Sequence, residues 1–148
     1  MIKLANFFVS LSFAGYIKFI PSGTFASFLS IVILFPIVEY KIISFEIFVV
    51  IFFVIFLLSL FFINKFSSHN QSHDSKIIVI DEFLGIYLIL LFYDQIEIIN
   101  PYITMMLIFI LFRFFDILKI FPANIIDKKL KSAFGVILDD LIAGILSL

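Results

Sequence analysis

The stretch from Ile47 to Asn64 carries no charged side chain. At about 1.5 Å of rise per helical residue it nearly crosses a hydrocarbon core about 30 Å thick. A chain holding such a segment is shaped for a bilayer, and the remaining composition agrees. Of its 148 residues, 64% are hydrophobic and the mean hydropathy is +1.26, against roughly 45–50% apolar residues in an ordinary soluble domain. Phe19 to Val38 is also free of charge, but Pro21, Ser22 and Gly23 interrupt it near its start. Its helix is expected to begin around Thr24 and to form a short or partly buried span.

Apolar periodicity predicts helices near 4–17, 24–38, 44–64, 77–93, 101–119 and 133–147, separated by polar or Pro-marked connections. The expected fold is all-α: a single-domain helical membrane bundle over residues 1–148, with about six helices, roughly four of them spanning or deeply buried. No repeat of 20 to 50 residues is present. Lys3 precedes an apolar run to Phe13 without a small-residue cleavage site after it, so this segment reads as a retained first helix. Lys3, Lys18, Lys65, Lys76, Lys119, Lys128, Lys129 and Lys131 fall at alternate turns, whereas the intervening loops hold Glu39, Lys41, Glu46, Asp94 and Glu97. The positive-inside rule puts the first set in the cytoplasm. The starts of the second, fourth and sixth helices and the end of the fifth then share that side.

Several function classes fall away. The absence of cysteine excludes disulfides, thiolate metal sites and cysteine-nucleophile phosphatases. A net charge of −1 with dispersed lysines gives no field for nucleic acid. Nothing in the chain identifies a protein partner.

The informative residues are carboxylates in apolar surroundings. Asp81 and Glu82 stand in IDEFLGIYLIL, and Asp139 and Asp140 in VILDDLIAGIL. Buried and unpaired, such groups cost several kcal/mol, and adjacent like charges resist joint ionisation unless a cation is present. Mg²⁺ suits them, because it keeps several waters and takes a few carboxylates plus phosphate oxygens. Gly85 lies one turn beyond Asp81, Gly135 one turn before Asp139 and Gly144 one turn beyond Asp140. Such spacing permits close helix approach or entry of a head group, although each glycine alone is explained by packing.

Arg113 is the one arginine in the chain, with Asp116 and Lys119 following at steps of three in LFRFFDILKIFP. An Arg fork and a mobile Lys on one stripe can grip phosphate, and an Arg113–Asp116 pair that merely neutralises itself explains the same pattern. In IPSGTFAS, the turn carrying Gly23, Thr24 and Ser27 could present N–H groups and hydroxyls to an anion or could simply cap a helix. His69 and His73 have i, i+4 spacing but sit in a Ser/Asn/Gln-rich stretch without the glutamate of an HExxH motif, and read as solvated.

Taken in order, these stretches resemble the phosphatidylglycerophosphatase A family. DEFLGIYLIL (81–90) is similar to its DE-x-x-G helix, FRFFDILKIFP (112–122) to its FR-x-x-D-x-x-K-P-x-P stretch, and FGVILDDLIAGILS (134–147) to its G-x-x-x-DD-x-x-AG ending. PSGTFAS (21–27) resembles its PGT-x-GS turn more loosely, and the likeness runs from about Gly15 to Ser147. The departures are Ser22 for a Pro, Ala26 for a Gly, Ile120 for a Pro and Ser132-Ala133 for a Gly-Gly-like pair; none removes a charge. The resemblance implies Mg²⁺-dependent hydrolysis of phosphatidylglycerophosphate to phosphatidylglycerol at the bacterial cytoplasmic membrane.

On this reading Asp81, Glu82, Asp139 and Asp140 hold one or two Mg²⁺ ions, and Asp116 is a further catalytic ligand or orients Arg113. Arg113 and Lys119 bind the phosphate, with Gly23, Thr24 and Ser27 adding donors. Water, with one carboxylate as general base, or an aspartate itself could be the nucleophile. Two rivals have residue-level objections. A CDP-alcohol phosphotransferase needs a DG-x-x-AR element that is absent. A cation-coupled carrier needs a polar through-path, whereas the polar groups cluster toward one side.

Overall fold

The computed structural model describes residues 2–17, 19–70, 75–96, 100–119, 121, 130 and 132–148. Among them the chain is helical throughout, as expected. The helices are α1 (Ile2–Val9), α2 (Ser22–Glu39), α3 (Phe45–Asn70), α4 (Ile80–Leu90), the single turn α5 (Tyr93–Ile96), α6 (Pro101–Leu118) and α7 (Ala133–Leu146), with a 3₁₀ turn at Ala14–Tyr16. Lys18, His73, Glu97, Ile120, Lys128, Lys129 and Lys131 lie outside the described residues.

Among the described residues three helices, α2, α3 and α6, are long and apolar enough to cross a membrane. Their outward faces carry exposed Phe53, Leu57, Phe61, Met106, Ile110 and Phe114, a surface suited to lipid and not to water. Helix α4 is short, yet Phe83, Leu84, Gly85, Ile86 and Tyr87 are all buried. A helix hidden on every side must be enclosed by others, and α4 packs on α7, α2, α3 and α6. Tyr87 anchors it: its ring stacks on Phe48 at 4.3 Å and its hydroxyl donates to the Phe48 carbonyl at 2.9 Å. Tyr87→Phe is expected to cost about 1 kcal/mol, read as a lower thermal midpoint with the helical content unchanged.

Helix boundaries depart from the periodicity in three places. The predicted helix 4–17 stops at Val9, because Leu11, Ser12 and Phe13 all have positive φ (48°, 56° and 71°). Ser10 Oγ accepts the Phe13 N–H at 3.0 Å, so a side chain competes for backbone that a longer helix would use. Val79 N–H then donates to the Val9 carbonyl at 2.9 Å, which holds 77–79 out of α4 and delays that helix to Ile80. Helix α3 runs past the expected end near 64, since Ile63, Phe66 and Ser67 continue its buried stripe.

Contacts across the bundle fix its directions. Gly23 of α2 meets Glu82 of α4, Gly85 of α4 meets Asp140 of α7, and Phe112 of α6 lies against Gly85. Helices α2, α4 and α7 therefore run the same way and α6 returns. The beginnings of the first three and the end of α6 converge at one end.

Candidate active site

Asp81 and Glu82 occupy the first turn of α4, not four or five residues into a helix as the sequence suggested. There the partial positive charge of the helix N-terminus favours carboxylates. Asp140 approaches from α7, where it is buried. Two glycines permit that approach. A Cβ on Gly144 would lie 2.8 Å from the Gly85 carbonyl oxygen, and one on Gly85 would lie 2.9 Å from the Asp140 carbonyl oxygen. The helices meet backbone to backbone, which answers the packing question the sequence left open: these glycines pack helices, and that packing assembles the acids. Gly135 instead faces the carbonyl of Leu130.

One oxygen each from Asp81, Glu82 and Asp140 lie within 4.8 Å of one another. Asp116 of α6 stands close enough to interact electrostatically with all three. Asp81 Oδ1 and Glu82 Oε2 are shielded from solvent and have no hydrogen-bond partner. Crowded carboxylates repel, and orphaned buried oxygens forfeit the hydration they had in water. A hard divalent cation relieves both conditions, and an all-oxygen donor set fits Mg²⁺ in preference to thiolate- or imidazole-seeking metals.

Asp139 is turned elsewhere. Its Oδ2 lies 2.7 Å from Lys119 Nζ, with side-chain exposures of 9% and 38%. Consecutive helical residues point about 100° apart, so the adjacent pair divides between two tasks. Lys119 itself does not continue the stripe of α6: it is the C-cap residue, with φ 43°.

Arg113 forms an ion pair with Asp116, the alternative the sequence left open beside phosphate binding, both side chains being 14% exposed. The pair does not exhaust it. Nη1 also reaches Ser27 Oγ at 3.5 Å, and Nε is buried with no partner. Ser27 in turn donates to the Gly23 carbonyl at 2.8 Å. A Cβ at Gly23 would collide with Glu82 Oε1 and stand 3.1 Å from Arg113 Nη1, so a larger residue at the start of α2 would displace the ends of those two side chains. Thr24 is half-buried in the same turn, and its hydroxyl makes no hydrogen bond among the described residues. The N-cap position of α2 is Pro21, which offers no capping side chain and leaves the first N–H groups to other acceptors.

His69 is exposed on the last turn of α3, apart from the acids. Two participants were not singled out from sequence. Ser22 Oγ donates to the Lys76 carbonyl at 2.8 Å, tying α2 to the approach to α4. Phe112 is fully buried against Gly85. It lies four residues before Asp116, and this i, i+4 relation to a candidate ligand was a readable signal.

The family model for phosphatidylglycerophosphatase A matches residues 7–148. The chain is 41% identical over 73 residues to the phosphatidylglycerophosphatase A of Haemophilus influenzae, covering 49% of this chain and 42% of that protein. It is 31% identical over 75 residues to that of Escherichia coli K12, covering 51% and 41% respectively. The matched stretches thus span about two-fifths of the length of these curated relatives. No solved structure matches.

Proposed function

We propose, since this chain belongs to the phosphatidylglycerophosphatase A family, that it hydrolyses phosphatidylglycerophosphate to phosphatidylglycerol and phosphate in phospholipid biosynthesis. The observation that carries this reading is the pair of orphaned oxygens on Asp81 and Glu82 beside Asp140, with an unpartnered Arg113 Nε in the same cluster. Acceptors without a cation and a donor without an anion are complementary to a metal and a phosphate monoester.

Asp81, Glu82 and Asp140 would hold Mg²⁺, and Asp116 either completes that set or orients Arg113. When bound, the ion supplies neutralisation of the charge that develops on the phosphate oxygens. Arg113 donates its planar fork to those oxygens. The backbone N–H groups at the start of α2 and the Thr24 hydroxyl would serve the same anion, while Ser27, whose hydroxyl donates to the Gly23 carbonyl, positions Arg113 in place of the donor role the sequence suggested. Lys119, held by Asp139, stands at the rim as a second cation for the phosphate. A carboxylate of the cluster accepts the proton of an attacking water as the P–O bond to the glycerol breaks and returns it to the leaving oxygen, or an aspartate attacks, the glycerol oxygen leaves as a protonated alcohol, and water then cleaves the acyl phosphate; both routes leave the diacylglycerol part of the substrate in lipid.

The lysine-bearing end of the bundle faces the cytoplasm of a bacterial cell on this reading, by the charge asymmetry of the loops. The test is phosphate release from phosphatidylglycerophosphate by the purified full-length chain in Mg²⁺ buffer. One phosphate per phosphatidylglycerol formed is expected. Ion flux into liposomes without phosphate release would instead identify a carrier.

A further inference from the structure

The end of the bundle opposite the acids is not closed. Helix α4 stops at Leu90, while α2 continues to Glu39 and α3 starts at Phe45, and a half-open cavity of about 430 Å³ lies where the three meet. That volume falls in the range that holds small ligands. Its walls include Ile37, Phe48, Leu90 and Leu91, and its polar side carries Lys41 and Asp94. No ion pair joins these two charges among the described residues.

Three further observations narrow the occupant. Exposed Tyr40 and Tyr102 mark this end of the bundle, and tyrosine collects where lipid head groups meet water. The apolar wall includes Ile42 and Phe45, which are also largely exposed on the outside of the bundle, so an acyl chain has an apolar way out of the cavity. Lys41 is also fixed in place. It adopts φ 48°, in a turn closed by Lys41 N–H to the Val38 carbonyl at 3.1 Å and Ile42 N–H to the Ile37 carbonyl at 3.0 Å. This is the helix-ending turn in which glycine is the usual residue at the left-handed position. Here a cation occupies it despite the backbone cost.

We infer that this cavity is a binding site for a phospholipid whose head group joins a phosphate to a primary ammonium, Lys41 receiving the phosphate and Asp94 the ammonium. The site lies at the other end of α4 from the acids and takes a resident lipid of the opposite leaflet, not the substrate. It stands independently of the phosphatase reading.

The experiment titrates the purified full-length chain with phosphatidylethanolamine, phosphatidylglycerol and diacylglycerol of matched acyl chains and counts bound lipid by native mass spectrometry. Phosphatidylethanolamine is expected to bind about tenfold more tightly than phosphatidylglycerol, the factor that one charge-assisted contact supplies. Lys41→Gly keeps the left-handed turn without strain, so the fold is retained while phosphatidylglycerol falls to the level of diacylglycerol and phosphatidylethanolamine weakens but keeps the advantage that Asp94 gives it. Asp94→Asn is expected to bring phosphatidylethanolamine down to phosphatidylglycerol and to leave the latter unchanged. Equal binding of all three lipids by the wild type, or unaltered phosphatidylethanolamine binding in either variant, would overturn the assignment.

Discussion

Asp140→Asn is expected to lower phosphate release by about 10²–10³-fold, the usual loss when one preorganised electrostatic partner of a reacting centre is removed. The size follows from position. Asp140 is buried and is the only member of the three-oxygen group that α7 supplies, so no neighbour on its own helix can replace it. Asp139, next in sequence, is engaged with Lys119. The same substitution is expected to leave the thermal midpoint in EDTA unchanged or raised, because it removes one of several mutually repelling carboxylates. Mg²⁺ at a hundred times its Kd should stabilise the wild type by about 2.7 kcal/mol and this variant far less. Chelation should abolish wild-type activity. Full turnover in EDTA, or an undiminished rate with asparagine at 140, would refute a metal-centred site. A variant that loses activity and still gains the full Mg²⁺ stabilisation would move the ion away from Asp140.

Gly85→Ala is expected to have the second largest effect, although the nearest neighbours of the added methyl are a ring and a backbone carbonyl and not a charged atom. That methyl would stand 2.5 Å from the Phe112 ring and 2.9 Å from the Asp140 carbonyl oxygen. The ring can turn aside, but the carbonyl belongs to a helix whose backbone cannot yield alone. Overpacking of this kind costs about 1–3 kcal/mol. It pushes α7 from α4 and so spreads the oxygens of Asp81, Glu82 and Asp140, for which about 10²-fold in rate is the expected price of a 1 Å misplacement. Weaker Mg²⁺ affinity should accompany the slower rate. Adding Phe112→Leu should recover stability more than activity, since it relieves the ring contact and leaves the carbonyl contact in place. Wild-type kinetics in Gly85→Ala would show that helix spacing does not set the site.

The acids were legible because each stands out against aliphatic neighbours, and the helical class followed from charge-free runs such as 47–64. What adjacent acids do was not legible. Asp139 and Asp140 differ by a fixed angle around α7, but which of them faces α4 depends on the rotation of the whole helix, and that is set by Gly85 and Gly144 in contact. The end of α1 was hidden for a similar reason. Leu11 and Phe13 have no local preference for positive φ, and their conformation accompanies the docking of 77–79 on Val9. By contrast, the extension of α3 could have been read from the spacing of Ile63, Phe66 and Ser67. The cavity at Lys41 could not, since it exists only because α4 is shorter than the helices around it.

The common direction of α4 and α7 has a consequence for biogenesis. Two parallel helices cannot be inserted as a hairpin, so the chain must send α6 back through the bilayer before α7 can take its place. Until then a nascent protein leaving the ribosome holds Asp81 and Glu82 at a helix end without the third acid. A translocon releasing helices singly would therefore deliver an inert intermediate, and competence for chemistry would arrive only with α7.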